Sequence, residues 1–266
     1  MEKKKRTVVL LCLIIILIAS PLWAQEEAEL AKKLVNPVAD LISVPLQNNW
    51  DFGIGPEKAT RYTLNVQPVT PFSLTSDWNL IIRTIMPIIH AEAPVKGLDD
   101  KTGLGDILQS FFFSPKAPTS GGWIWGAGPV ILYPNGTDGL SAHKWAAGPT
   151  AVMLKQQSGW TLGILANHIW SFGGGGEQDI SATFLQPFLA RTTMTATTLS
   201  LNTESSYDWE DEQWTVPINL SVSQMLKIGG LPLSLQATGR VYAERPDGGP
   251  NWGLRFTVTF LFPKGK

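Results

Sequence analysis

Three histidines, His90, His143 and His168, are the side chains of this sequence best suited by type to general acid–base or metal chemistry. For catalysis each would need a nucleophile or a metal beside it. The most suggestive pairing is in NHIWS, where His168 stands three residues before Ser171. On a strand that offset puts the two on opposite faces, so a hydrolytic pair would have to draw on neighbouring strands. No GxSxG elbow and no HExxH helix pair occurs. Glu204, Asp208, Glu210, Asp211 and Glu212 form the one acidic cluster; it could bind Ca²⁺, but its density of like charge reads as a solvated loop. The glycine run 173–176 lacks the strand–turn–helix setting of a phosphate cradle. The only cysteine, Cys12, falls in an apolar leader. The expectation is a protein that is not an enzyme, with no catalytic residue, cofactor or metal site.

The other polar side chains suggest a passage. Trp252, Leu254, Phe256, Val258, Phe260 and Phe262 alternate with Gly253, Arg255, Thr257, Thr259 and Leu261. Residues 214–223 and 231–241 alternate likewise, the period of two that marks a strand with unlike faces. The second face carries Ser, Thr, Asn, Gln and single arginines rather than the Lys and Glu of a solvated surface. Arg83, Arg240 and Arg255 each take the parity opposite the apolar residues of their own strand. An arginine facing lipid near mid-membrane costs about 2–4 kcal/mol, so this parity favours a lumen. The lumen-lining candidates are Asn65, Gln67, Arg83, Asn202, Glu204, Asn219, Gln236, Arg240 and Arg255.

Runs near 48–55, 61–70, 78–90, 104–113, 122–133, 144–156, 159–172, 179–191, 196–209, 213–226, 231–243 and 251–262 supply about twelve strands. Many of them begin or end in Trp or Tyr, among them Trp50, Tyr62, Trp78, Trp145, Trp160, Trp170, Trp214 and Trp252. Aromatics at strand ends form the girdles of a membrane barrel. The predicted fold is all-β, a transmembrane antiparallel β-barrel spanning 48–266. Residues 25–47 have short helical character and form a periplasmic cap or a plug. Lys3–Arg6, the apolar run Val8–Ala19 and LWA before Gln25 read as a signal peptide over 1–24, since the run is shorter than the ~20 residues of a membrane span. Its removal takes four basic residues and one acidic one, moving the formal charge from −1 to −4 and arguing against nucleic acid as a partner.

Pro68, Pro87, Pro129, Pro149, Pro187 and Pro217 interrupt otherwise good runs, four of them in Gln-Pro or Gly-Pro steps. A closed barrel has no edge strand to hold them, so the expectation is a set of bulges or kinks. Alternation turns Pro87 and Pro217 inward, and Pro68 and Pro129 outward.

The segments NPVADLISVPLQ (36–47), LQSFFFSPK (108–116), GGWIWGAGPV (121–130), LANHIWSF (165–172), LNTESSYDW (201–209), EQWTVPINL (212–220) and WGLRFTVTFLFPK (252–264) resemble a family of bacterial outer-membrane "transporter" proteins. That family is related to outer-membrane channels found near phenol-degradation genes. The resemblance covers nearly all of the chain after the leader. It implies location in the bacterial outer membrane and passive passage of small molecules, hydrophobic or aromatic ones among them. Outer-membrane lipid and a small-molecule solute are the partners it implies, and the aromatic signature of the last strand, with Phe256, Phe260 and Phe262, is one that the barrel-assembly machinery reads. The alternatives are a membrane-embedded hydrolase of the lipase or deacylase type and a structural barrel without transport.

Overall fold

The computed structural model describes residues 21–263, so most of the predicted leader lies outside the described residues. Alternation of apolar and small polar residues produces fifteen strand segments in one antiparallel sheet. They run β1 (Ile42–Ile54), β2 (Ala59–Val66), β3 (Val69–Ser73), β4 (Trp78–Ala91), β5 (Lys101–Leu104), β6 (Ile107–Pro115) and β7 (Trp123–Tyr133). The rest are β8 (Lys144–Gln157), β9 (Trp160–Gly174), β10 (Ser181–Thr192), β11 (Thr197–Thr203), β12 (Ser205–Asp208), β13 (Gln213–Ile228), β14 (Leu231–Glu244) and β15 (Trp252–Phe262). β2 with β3, β5 with β6, and β11 with β12 each form one interrupted stave, which makes a closed barrel of 12 staves. The seam is the pairing of β1 with β15, from Ile42 opposite Phe262 to Phe52 opposite Trp252.

Turns at the end that holds Ile42 and Phe262 are short, as at 158–159 and 229–230, whereas 92–100 and 134–143 lengthen the other end. Outer-membrane barrels distribute short periplasmic turns and long outer loops in this way. The outward face is an exposed apolar band that includes Leu162, Ile164, Leu199, Leu220, Val222, Leu254 and Phe256. Aromatics border it on both sides. Trp50 with Tyr62, Tyr133 with Trp145, and Tyr207 with Trp214 lie towards the outer end; Trp78 meets Trp125 edge-on towards the other.

Helix α1 (Pro21–Val35) precedes the wall. Asn36 stops it: its side chain accepts from the Val38 amide, and Pro37 cannot continue the helical ladder. The segment 25–47 is therefore not helical throughout. The chain enters β1 at Ile42, where Ser43, Pro45 and Gln47 already take the inward parity of Asn49 and Asp51. Ala31, Leu41, Ala196, Met225 and Leu261 pack together, with Ala28, Leu30 and Leu34 against them, which fixes α1 to the inner wall.

The prolines are accommodated in several ways. At Pro217 the β13–β14 register shifts by one, a bulge. Opposite Pro87 the extra residue belongs to the partner stave, at the break between β5 and β6, where the Gly105 amide donates to the Pro87 carbonyl. No bulge accommodates Pro68 or Pro187. Registers on both sides of Pro68 keep one offset (Leu46 with Val66, Ser43 with Val69), and Pro187 stands directly opposite Ile164. Only the missing N–H is lost there, and the Pro68 carbonyl still accepts from Thr84. Pro129 and Pro149 face each other across β7 and β8, and the ladders beyond them each skip two pairs.

At those skips the carbonyls of Phe111 and His168 lie over the Cα atoms of Gly128 and Gly148, where any Cβ would collide with them. This close approach explains the Gly-Pro steps. A carbonyl that finds no proline N–H swings onto the preceding residue, and only glycine leaves room. Gly128→Ala should therefore lower stability by about 1–3 kcal/mol, the usual range for overpacking. Gly173→Ala, where a Cβ meets nothing within 4 Å, should have little effect. Urea unfolding followed by tryptophan fluorescence compares the two.

Candidate functional site

The barrel interior has two unlike halves. On β4, β6, β8 and β9 the inward positions include Ile81, Phe112, Val152, Leu154 and Leu165, all buried, and Val38 from the segment after α1 completes their cluster. The uniformly polar inner face expected from the sequence does not extend to these strands. There the inner face mixes buried Asn79, Ser110, Ser114, Thr150 and Thr161 with these large apolar side chains, which pack against Val38 and one another.

The other half, β11 through β15 and on to β1, β2 and β4, is polar. At its centre lies Glu204, between β11 and β12. The offset of the stave is the same on both sides of it (Thr203 with Ile218, Ser206 with Thr215), so its side chain stays on the inward parity. Its carboxylate accepts two bonds from Arg255, at 2.8 and 2.7 Å, and one from Arg240 at 3.2 Å. This two-pronged pairing suits the planar guanidinium. Arg255 also donates to Asn49 at 2.5 Å. Arg240 donates to Asn219 at 2.8 Å and to Asp51 at 3.2 Å, and Tyr242 donates to Asp51 at 2.8 Å. Arg83 donates to Gln67 at 3.1 Å, and Gln67 to Gln47 at 2.7 Å.

Glu204 thus reaches past β13 to β14 and β15, a chord across the lumen rather than a contact along the wall. Both paired arginines keep 9% of their side-chain surface, and Glu204 keeps 22%. Burying such charges is expensive unless each finds partners, and here each does.

Between this charged layer and the segment α1–Leu41 lies a chamber of about 250 Å³. Gln67, Arg83, Asn202, Glu204, Gln236 and Arg255, all expected from strand parity to line the lumen, are in its wall. Asn219 and Arg240 stand behind Glu204 in the bonded network, and Asn65 lies opposite Gln47 on the neighbouring strand. Sequence reasoning overlooked Asn49, Asp51 and Tyr242. Alternation outward from Trp50 would have placed the first two, and the parity of Arg240 the third.

The residues considered for catalysis are not brought together. His168 bonds Thr183 through Nδ1, whereas Ser171 donates to Asp179 and accepts from the Ile180 amide. Among the described residues no group of three or more His, Cys, Asp or Glu is placed to hold a metal ion.

No protein-family model and no curated protein matches the sequence. The structure is similar to an outer membrane channel from Pseudomonas putida, with a TM-score of 0.65 at 15% identity, over 84% of this chain and 94% of that one. Weaker likenesses join it to outer membrane phospholipase A from Escherichia coli (TM-score 0.46, 11% identity, 89% of this chain and 98% of that one) and to the beta domain of the Bordetella autotransporter BrkA (0.46, 11%, 84% and 100%). At these identities the likeness is one of fold, that of a bacterial outer-membrane β-barrel.

Glu204→Gln would leave Arg255 without its carboxylate and should destabilise the barrel by about 3 kcal/mol, the low end for a broken buried pair. Adding Arg255→Met should recover much of that loss, because the uncompensated charge goes with it. Urea midpoints of the single and double variants test this, and a double variant no more stable than Glu204→Gln would contradict it.

Proposed function

We propose that this protein is an outer-membrane channel through which small solutes pass along the polar half of the barrel. Residues 25–41 act as a plug over the periplasmic mouth of that path. The observation that carries the reading is the chamber. A barrel built only as a scaffold could fill its whole interior as it fills the side of Ile81, Phe112 and Leu154. Here the other half keeps a space lined by hydroxyls, amides and the Glu204–Arg255 pair.

Phe188, Val69, Met225 and Leu34 also border the chamber. A solute with both a polar and an apolar part suits such a wall, which agrees with the hydrophobic or aromatic molecules that the family resemblance implies. The hydrolase alternative lacks comparable support, since His168 and Ser171 are bonded to separate partners.

Among the described residues, polar ties of the plug to the wall include the donation from Gln156 Nε2 to the Lys32 carbonyl at 2.8 Å and the Glu26–Lys227 ion pair at 3.9 Å. Such a segment can leave without breaking the ladder, because β1 begins only at Ile42. Deleting 25–41 while keeping 42–266 should raise single-channel conductance in planar bilayers severalfold. Equal conductance of the two forms would reject the plug, and absence of conductance in both would reject the channel.

A further inference from the structure

Three guanidinium groups, Arg83, Arg240 and Arg255, face two carboxylates, Asp51 and Glu204, in the charged layer. Arg240 and Arg255 account for both carboxylates. Arg83 donates only to the neutral Gln67 amide, and no carboxylate among the described residues lies within ion-pair distance of it. A guanidinium has five N–H donors, so most of those on Arg83 remain for another acceptor.

A second, independent feature shares the chamber wall. Thr257 is 3% exposed, and its hydroxyl has no hydrogen-bond partner. It stands opposite Gln47 in the β1–β15 ladder, and Gln47 is joined through Gln67 to Arg83. Donors that lack acceptors therefore lie along one belt of the wall. Val69, the strand partner of Arg83, starts an apolar patch that Phe188, Leu34 and Met225 extend in the same chamber. The space of about 250 Å³ is ample for several waters or for one small organic molecule.

We propose that the chamber is a binding site for a small organic monocarboxylate. Its carboxylate accepts from the free edge of Arg83 and from the Thr257 hydroxyl, and its apolar body lies against Val69, Phe188 and Leu34. The anion supplies the charge that the layer lacks and the acceptor that Thr257 lacks. This deepens the channel reading and rests on it for the statement that the bound acid is also the solute carried.

Binding is tested apart from passage. The purified full-length protein in detergent micelles is titrated calorimetrically with sodium benzoate and with benzamide, a neutral molecule of nearly the same shape, at constant ionic strength. Charge-assisted hydrogen bonds of about 1.5–3 kcal/mol make the expected preference for benzoate at least about tenfold. Arg83→Gln should abolish that preference, whereas Arg83→Lys should keep part of it, because the charge survives without the fork. Equal binding of the two compounds by the unmodified chain, binding of neither, or an unaltered preference in Arg83→Gln would overturn the proposal. If Arg83→Gln does not fold, Thr257→Val decides: a severalfold weaker benzoate affinity is expected, and an unchanged one would overturn it. Preferential benzoate binding in a preparation that conducts no potassium chloride would keep the site and discard the channel.

Discussion

Backbone groups that meet lipid have no water to bond, so every donor and acceptor in the wall must find its partner within the wall. That single requirement closes the sheet by pairing β1 with β15 and leaves no free edge. It also decides how the prolines are borne. Each removes one donor, and the wall responds by a bulge at Pro217, by an extra residue opposite Pro87, or by one lost bond in an unshifted register at Pro68 and Pro187. At Gly128 and Gly148 it responds by letting a stranded carbonyl settle over a glycine.

Closure fixes which residues face inward, and the inward residues then divide the lumen. One half is packed like the core of a soluble protein, with Phe112, Ile81 and Leu154 fully buried. The other half is held open by charge. Glu204 draws Arg240 and Arg255 towards it from staves two and three away, while Asn49 accepts from Arg255 and Asn219 and Asp51 accept from Arg240. The cost of burying these groups is met only when all are present, which makes the layer rigid. The segment after α1 belongs to both halves: Val38 enters the apolar cluster, and Ala39 and Leu41 border the chamber.

Much of this was legible in the sequence. Strict alternation along residues 214–223, 231–241 and 252–262 marks three staves, and the parity of Arg83, Arg240 and Arg255 assigns their inner faces without any coordinates. The apolar half of the lumen was not legible. Ile81 and Leu154 sit in strands with large apolar residues on both faces, and local pattern cannot say which of these meet lipid and which meet Val38. The Gly-Pro steps were visible as a motif but not as a mechanism, because the carbonyls that require glycine belong to Phe111 and His168 on other strands. Glu204 carried two signals at once, as a member of the acidic run and as an inward residue of β11–β12. Only the reach to Arg255, which depends on the curvature of the wall, separates it from Asp208, Glu210 and Asp211.

The central claim is that the polar half of the lumen is a solute path covered by the segment before β1. Ser234 lies in the chamber wall and is buried, so Ser234→Cys reports directly on access. The rate at which a small membrane-impermeant methanethiosulfonate modifies it should be low in the full chain and much higher once 25–41 are removed. Equal rates in the two forms would contradict the account.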